Sequence, residues 1–228
     1  ARARYPGPTV ATDTPLPHVH PPPLVRKPLG ALILKWFGIG CLMVAATIAG
    51  YIGWLLWGTG LTTQAAQNDL RQGFEHVVNT KPVTEAPPPG STAAPLRGSA
   101  YAELVIPRID FDMIVVQGTD EESLKKGPGH YPDTADPWAA TGRVGIAGHR
   151  TTYLHPFFNL DKMQVGDPIT LRTEHGSFDY AVTRVFIVPT AGSGVVLTQT
   201  PRPTLVLTTC NPRYSSSQRL IVIADRVG

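Results

Sequence analysis

TLVLTTCNPRYSSSQRLIVIA, residues 204–224, holds two apolar, β-branched runs on either side of a polar segment that begins Asn-Pro. Val, Ile and Thr favour a pleated, half-buried backbone, and proline, lacking an N–H, ends a ladder. Thr204–Thr209 and Leu220–Ala224 are therefore expected to be strands. Side chains alternate along a strand, so positions 204, 206, 208 and 210 share one face and Cys210 projects beside Thr208 at the strand's end. Leu220–Ala224 is apolar throughout, as expected of a strand covered on both faces. Arg219 comes nine residues after Cys210, and antiparallel pairing of the two runs returns its guanidinium to the side of the thiol.

Moving towards the N-terminus, similar short runs occur at Glu103–Ile106, Met113–Val116, Arg143–Ala147, Ile169–Arg172, Phe178–Val188 and Val195–Leu197. Gly, Pro, Asn or Asp punctuate most of the gaps. Helical pattern is confined to short pieces near Glu121–Lys126 and Phe157–Met163. The expected fold of residues 99–228 is all-β, a closed barrel or a sandwich of eight short strands with few helices.

The rest of the chain reads differently. Residues 1–28 contain eight prolines and almost no apolar periodicity, which predicts a disordered tail of polyproline character. From Trp36 to Asn68 no residue is charged, and Ile39–Trp57 is almost wholly apolar. At 1.5 Å per residue those 19 residues span about 28 Å, close to a bilayer's hydrocarbon core. Trp36 lies near one end and Trp54 and Trp57 near the other, where an aromatic belt belongs. Arg26, Lys27 and Lys35 precede the span and Asp69 is the first charge beyond it, so the positive-inside rule puts the N-terminus in the cytoplasm.

The expected organisation is a Pro-rich cytoplasmic tail (1–35), a transmembrane signal anchor (36–61), a stalk with a stiff Pro-rich linker (62–98) and an extracellular domain (99–228). A cleaved signal peptide is the alternative reading of the apolar span. An apolar run this long, behind 35 preceding residues, departs from the ordinary signal pattern.

Charge excludes one class of partner. The chain holds 20 basic and 17 acidic side chains, but Arg2, Arg4, Arg26, Lys27 and Lys35 against Asp13 account for more than the whole excess. The remainder is close to neutral, and nucleic-acid binding is disfavoured. Two cysteines in 228 residues also exclude a disulfide-rich scaffold.

Cys210 has no possible disulfide partner in its own domain, and an unpaired thiol outside a cell is liable to oxidation. Taken alone it is either a nucleophile or a small buried hydrophobe. A thiol nucleophile needs a proton acceptor or a cationic neighbour. His149 is the candidate acceptor, because GIAGHR ends a β-branched strand in Gly-His-Arg and sets the imidazole on a barrel rim as Cys210 is set. Arg219 is the candidate oxyanion partner, with a permanent charge and a fork of donors. Metal binding is the competing use of these residues, but no CxxC or HExxH spacing supports it and no cofactor is expected.

TLVLTTC with NPRYSSSQR resembles the TLxTC…R signature of sortases, the membrane-anchored cysteine transpeptidases of Gram-positive bacteria. GIAGHR resembles their catalytic-histidine strand. The 61 residues from His149 to Cys210 fit as well, and GPGHYPDTADPW with HPFFNLDKMQVGDPI most resembles class E of actinobacteria. The resemblance covers residues 101–226 and implies an eight-stranded closed β-barrel. It makes Cys210 the nucleophile, His149 the general acid/base and Arg219 the oxyanion and substrate clamp. Tyr131 becomes a substrate-groove residue and Thr209 a contributor to the oxyanion hole.

The implied substrates are secreted proteins with a C-terminal LPxTG-like or LAxTG-like sorting signal, cut between Thr and Gly. The implied acceptor is an amine on a peptidoglycan precursor at the plasma membrane. Asp136-Pro137-Trp138 resembles the lid motif of pilin-assembling sortases, but it comes after the first strands instead of preceding them, so no lid role is carried over. Other readings are a cysteine peptidase or L,D-transpeptidase acting on the wall, or a surface binding module with an inert Cys210.

Overall fold

The computed structural model describes residues 29–54, 58–80 and 96–227. The expected disordered tail at 1–28 and most of the expected linker, 81–95, lie outside the described residues. The chain divides into two units, residues 1–46 and 47–228. Helix α1, Leu29–Gly53, has 25 residues, none of them buried, and is long and apolar enough to cross a membrane. It begins before the expected boundary at Trp36 and takes in Lys35.

The second unit is built on a closed barrel. Its strands are β1 (Ala100–Ile106), β2 (Phe111–Gln117), β3 (Gly129–His130), β4 (Arg143–Ala147), β5 (Pro168–Thr173), β6 (Gly176–Pro189), β7 (Thr204–Asn211) and β8 (Gln218–Val227). Neighbours run β1-β2-β3-β4-β7-β8-β6-β5 and close back on β1. Two pairings, β2 with β3 and β4 with β7, are parallel. Closure leaves no long free edge.

Seven of the expected runs are strands, and the eighth is a correction. Val195–Leu197 belongs to a 3-10 turn, Ser193–Leu197, entered through Gly192 at φ 78°. Its valines look strand-like because Val196 is buried against Val206, Ile221 and Ile223 on the outer face of the sheet. Conversely, β3 is only two residues long and carries no pattern to read. The double-sided burial expected of Leu220–Ala224 is present. Leu220, Val222 and Ala224 join the barrel interior, and Ile221 and Ile223 the outer cluster.

Residues expected as a stalk form helix α2, Thr59–Thr80, which packs on the barrel. Gln67 stands in for a missing strand at the edge of β2. Its side-chain amide donates to Ile114 O (2.8 Å) and Lys126 O (2.9 Å) and accepts from Ile114 N–H (2.8 Å). Because β3 is so short, those groups of Ile114 would otherwise be buried without partners. Arg71 of α2 bonds both Glu103 on β1 and Asp112 on β2, and Arg172 reaches Glu103 at 3.2 Å. The short helix α3, Glu121–Lys126, is capped by Asp120, whose carboxylate accepts from Ser123 N–H.

A buried polar cluster closes one flank of the barrel. His130 is 1% exposed and stacks on Tyr101 with ring centroids 4.1 Å apart. One of its ring nitrogens meets Gln117 Oε1 at 3.0 Å and the other meets Ala135 O at 3.2 Å. Tyr101 donates its hydroxyl to Asp136, and Trp138 packs edge-on against His175. Asp136-Pro137-Trp138 thus serves packing here.

Burial pulls the His130 imidazole down to about 4, against an opposing pull from the Ala135 carbonyl. The folded state therefore refuses a proton that the unfolded chain accepts. The stability this gives is complete above about pH 6.5 and is lost as the pH falls towards 4. Urea unfolding at pH 7 and pH 4 should show a loss of about 3 kcal/mol from this group. The pH dependence should flatten in His130→Asn, even where that variant is less stable at pH 7.

Candidate active site

Strand β7 has two different neighbours, and the site lies where they meet. Parallel pairing with β4 sets Ala147 against Thr208, and Gly148 N–H then donates to Thr208 O at 3.1 Å. Two residues beyond that register pair, His149 leaves β4 at the level where Cys210 ends β7. On the other edge, antiparallel pairing with β8 makes Cys210 and Arg219 register partners. Directly opposed residues share a face of the sheet. It is the outer face, because Val206 and Ile221 on the same face belong to the outer cluster.

His149 and Cys210 line one cavity of about 360 Å³, together with Arg150 and with Tyr214, Ser215 and Ser216 from the β7–β8 segment. Cys210 is half-buried and makes no disulfide. His149 Nε2 is buried and has no hydrogen-bond partner among the described residues. Such an atom is costly in a folded core and is a mark of a functional group awaiting its partner. Burial pushes the His149 imidazole below its ordinary value, partly offset by the Glu121 carboxylate, so the neutral ring is favoured near neutral pH. Its ring packs against Tyr153 with centroids 5.0 Å apart.

Arg219 and Tyr131 line an adjoining, smaller cavity of about 50 Å³, with Thr208, Val196, Leu197 and Ile221. The Arg219 guanidinium donates to Thr190 Oγ1 (3.1 Å), Ser216 O (3.0 Å) and Gln218 O (3.0 Å). Tyr131 shares a hydrogen bond of 3.1 Å with Thr208 Oγ1. Thr209 is placed otherwise. Its buried hydroxyl donates to Gly148 O at 2.7 Å, fastening the end of β4 to β7. That bond spends the hydroxyl on the strand that carries His149.

The glycines of GIAGHR have a steric reason. A Cβ on Gly145 would sit 2.9 Å from the Tyr131 ring and 3.0 Å from Leu197, and one on Gly148 would sit 2.6 Å from the Phe157 ring. The loop after the histidine carried no signal in the sequence. There Tyr153, Leu154 and His155 take φ of 53°, 60° and 40°, a left-handed run costing about 1–2 kcal/mol per residue. The run is tied down by Tyr153 N–H donating to Thr59 Oγ1 (3.3 Å) and Phe157 N–H to His149 O (3.1 Å). Sequence reasoning also missed Arg150, although it stands next to His149 in the motif. It is 4% exposed and donates to Cys210 O.

Comparison with known proteins fits this geometry. Residues 104–227 match the family described as the sortase domain. The chain belongs to the sortase family. Sortase D of Bacillus subtilis is 31% identical over 186 residues, covering 79% of this chain and 92% of that protein. A Clostridium perfringens sortase D5 transpeptidase structure aligns with TM-score 0.60 at 26% identity, over 72% of this chain and 99% of its own. Sortase E1 of Streptomyces coelicolor, solved with a tripeptide in its active site, aligns with TM-score 0.53 at 32% identity, over 60% and 92%. The resemblance to class E stands, with class D relatives beside it. This sortase is accordingly an enzyme of the cysteine transpeptidase type, and its closed barrel is the expected fold.

In this sortase Gly145→Ala should displace the Tyr131 ring and cost about 1–3 kcal/mol, read as a fall in chemical-denaturation stability.

Proposed function

We propose that this sortase is a membrane-anchored transpeptidase that cleaves an LPxTG-like or LAxTG-like signal between Thr and Gly and transfers the Thr carbonyl to a cell-wall amine. The observation that supports this reading is that His149 and Cys210 line one cavity at the end of β4 and β7 while antiparallel β8 pairs Arg219 with Cys210. Neutral His149 takes the thiol proton as Cys210 attacks the Thr carbonyl, and Arg219 faces the oxyanion of the tetrahedral intermediate. The imidazolium gives its proton to the departing Gly amine, leaving a thioester on Cys210. An acceptor amine, most simply that of a peptidoglycan precursor, attacks the thioester and returns its proton to His149.

Tyr131 serves the groove beside Thr208, and Thr209 supports the site through its hold on Gly148. Helix α1 is the anchor, with the N-terminus cytoplasmic and the barrel outside, as the Arg26, Lys27 and Lys35 cluster supports. Tethering concentrates the enzyme with secreted substrates and lipid-linked acceptors on one surface.

The test uses the full chain in detergent micelles, an LAxTG peptide and an added amine, with products followed by mass spectrometry. A Thr–amine adduct that is absent from Cys210→Ala is the expected result. Cleavage without adduct points to hydrolysis, and no product together with an unalkylated Cys210 sinks the reading. Arg219→Ala should lower turnover by roughly 10²–10³ while leaving the melting temperature close to wild type. Near-wild-type turnover in that variant removes Arg219 from the oxyanion role.

A further inference from the structure

The ladder between β4 and β7 ends just before the two groups that matter. Its last main-chain bond is Gly148 N–H to Thr208 O, so this ladder holds neither His149 nor Cys210, and Cys210 is paired only on its β8 side. One side chain continues the connection. Arg150 Nε donates to Phe158 O (3.2 Å), and its Nη1 donates to Cys210 O (3.2 Å) and Asn211 Oδ1 (3.3 Å). Its Nη2 lies 3.2 Å from Asp161 Oδ1. Four acceptors on two segments surround one buried guanidinium. Asp161 in turn takes Arg213 of the β7–β8 segment at 3.0 Å, and Arg213 stacks 4.3 Å over the Phe158 ring and donates to Phe158 O.

We propose that Arg150 is a positioning residue for the catalytic pair, locking the end of β7 that carries Cys210 to the loop that carries His149. Asp161 and Arg213 extend the lock to the β7–β8 segment. A planar fork reaches separate acceptors in fixed directions, whereas an ammonium on a flexible stem concentrates its donors at one point. Charge alone does not replace it. Arg150 bonds the nucleophile's residue through its main-chain oxygen and lines the cavity of His149 and Cys210, but not the cavity of Tyr131 and Arg219, and Arg150→Lys keeps its charge near the thiol. Loss of the lock should therefore appear in turnover and leave sorting-peptide affinity in place.

The inference rests on Cys210 as nucleophile and His149 as its base, and the test separates the lock from that reading. Full-length wild type, Arg150→Lys, Arg150→Met and Asp161→Asn are compared in detergent micelles by sorting-peptide kinetics and by amide hydrogen exchange. In Arg150→Lys, kcat should fall roughly 30–100-fold, with KM within about threefold of wild type, as a misplacement of about an ångström does. Exchange should rise together in residues 149–161 and 210–216, by about tenfold, with the rest of the barrel unchanged. Asp161→Asn should show the same pattern more weakly. If Arg150→Met does not fold, Arg150→Lys carries both readouts. A kcat within about threefold of wild type in Arg150→Lys, or unchanged exchange in both segments, overturns the lock. Wild type without any Cys210-dependent product overturns the transpeptidase reading instead, and the exchange data then decide the lock by themselves.

Discussion

Everything at the active site depends on β7 pairing in parallel on one edge and antiparallel on the other. A parallel partner ends where β7 ends, so the last residues of β4 and the start of the next loop lie level with Cys210. An antiparallel partner begins where β7 ends, so the first residues of β8 lie there too. Three candidate groups, His149 from far upstream and Cys210 and Arg219 from one hairpin, thus arrive at one rim without any loop reaching across the molecule. The 60 residues between His149 and Cys210 have to return the chain to the starting edge of β7, and they do so through β5, β6 and the 3-10 turn at Ser193–Leu197. The length of that crossover is what a parallel pair demands.

Burial on both faces of β7 and β8 then makes the rim rigid. Leu205, Leu207, Val222 and Ala224 face the interior, while Val206, Ile221 and Ile223 are covered by Val196 and its neighbours. The cover ends at Thr208 and Arg219, where the outer face becomes cavity. A groove that begins at the edge of an apolar cluster has a hard floor, and Gly145 lets the Tyr131 ring come close enough to form part of its wall.

The strands were legible where both faces or one face imposed a pattern, as in Thr204–Thr209, Leu220–Ala224 and Arg143–Ala147. Val195–Leu197 was misread because a short apolar run against the outside of a sheet has the same composition as one within it. Gly129–His130 was missed because two residues have no period. Cys210, His149 and Arg219 were legible as residue types in order, and the register that joins Cys210 to Arg219 was foreseeable from the turn between the two runs. The turn of the Arg219 guanidinium towards Thr190 was not foreseeable, since it depends on the β6–β7 segment folding back over the barrel. Gln67 and Arg150 were invisible for a shared reason. Each satisfies main-chain groups that lose their ladder partners only once strand lengths are fixed.

In the mechanism proposed above, Arg150 and Arg219 would divide two tasks near the Cys210 thiol. Arg219 is half-exposed, and its bonds go to a threonine hydroxyl and two carbonyls without any carboxylate partner. Exchanging such bonds for a substrate oxyanion would leave no charge buried and unpaired, which suits the oxyanion role proposed for Arg219. Arg150 is buried, paired with Asp161 and shared among acceptors of two segments, and removing it would leave the Cys210 carbonyl and the Asn211 side chain without this donor, while Asp161 and Phe158 O kept Arg213. Mobility would be wasted in the second position and rigidity would defeat the first. A positive charge that meets substrate has to sit where water can replace it, and one that sets the nucleophile's position has to sit where water cannot.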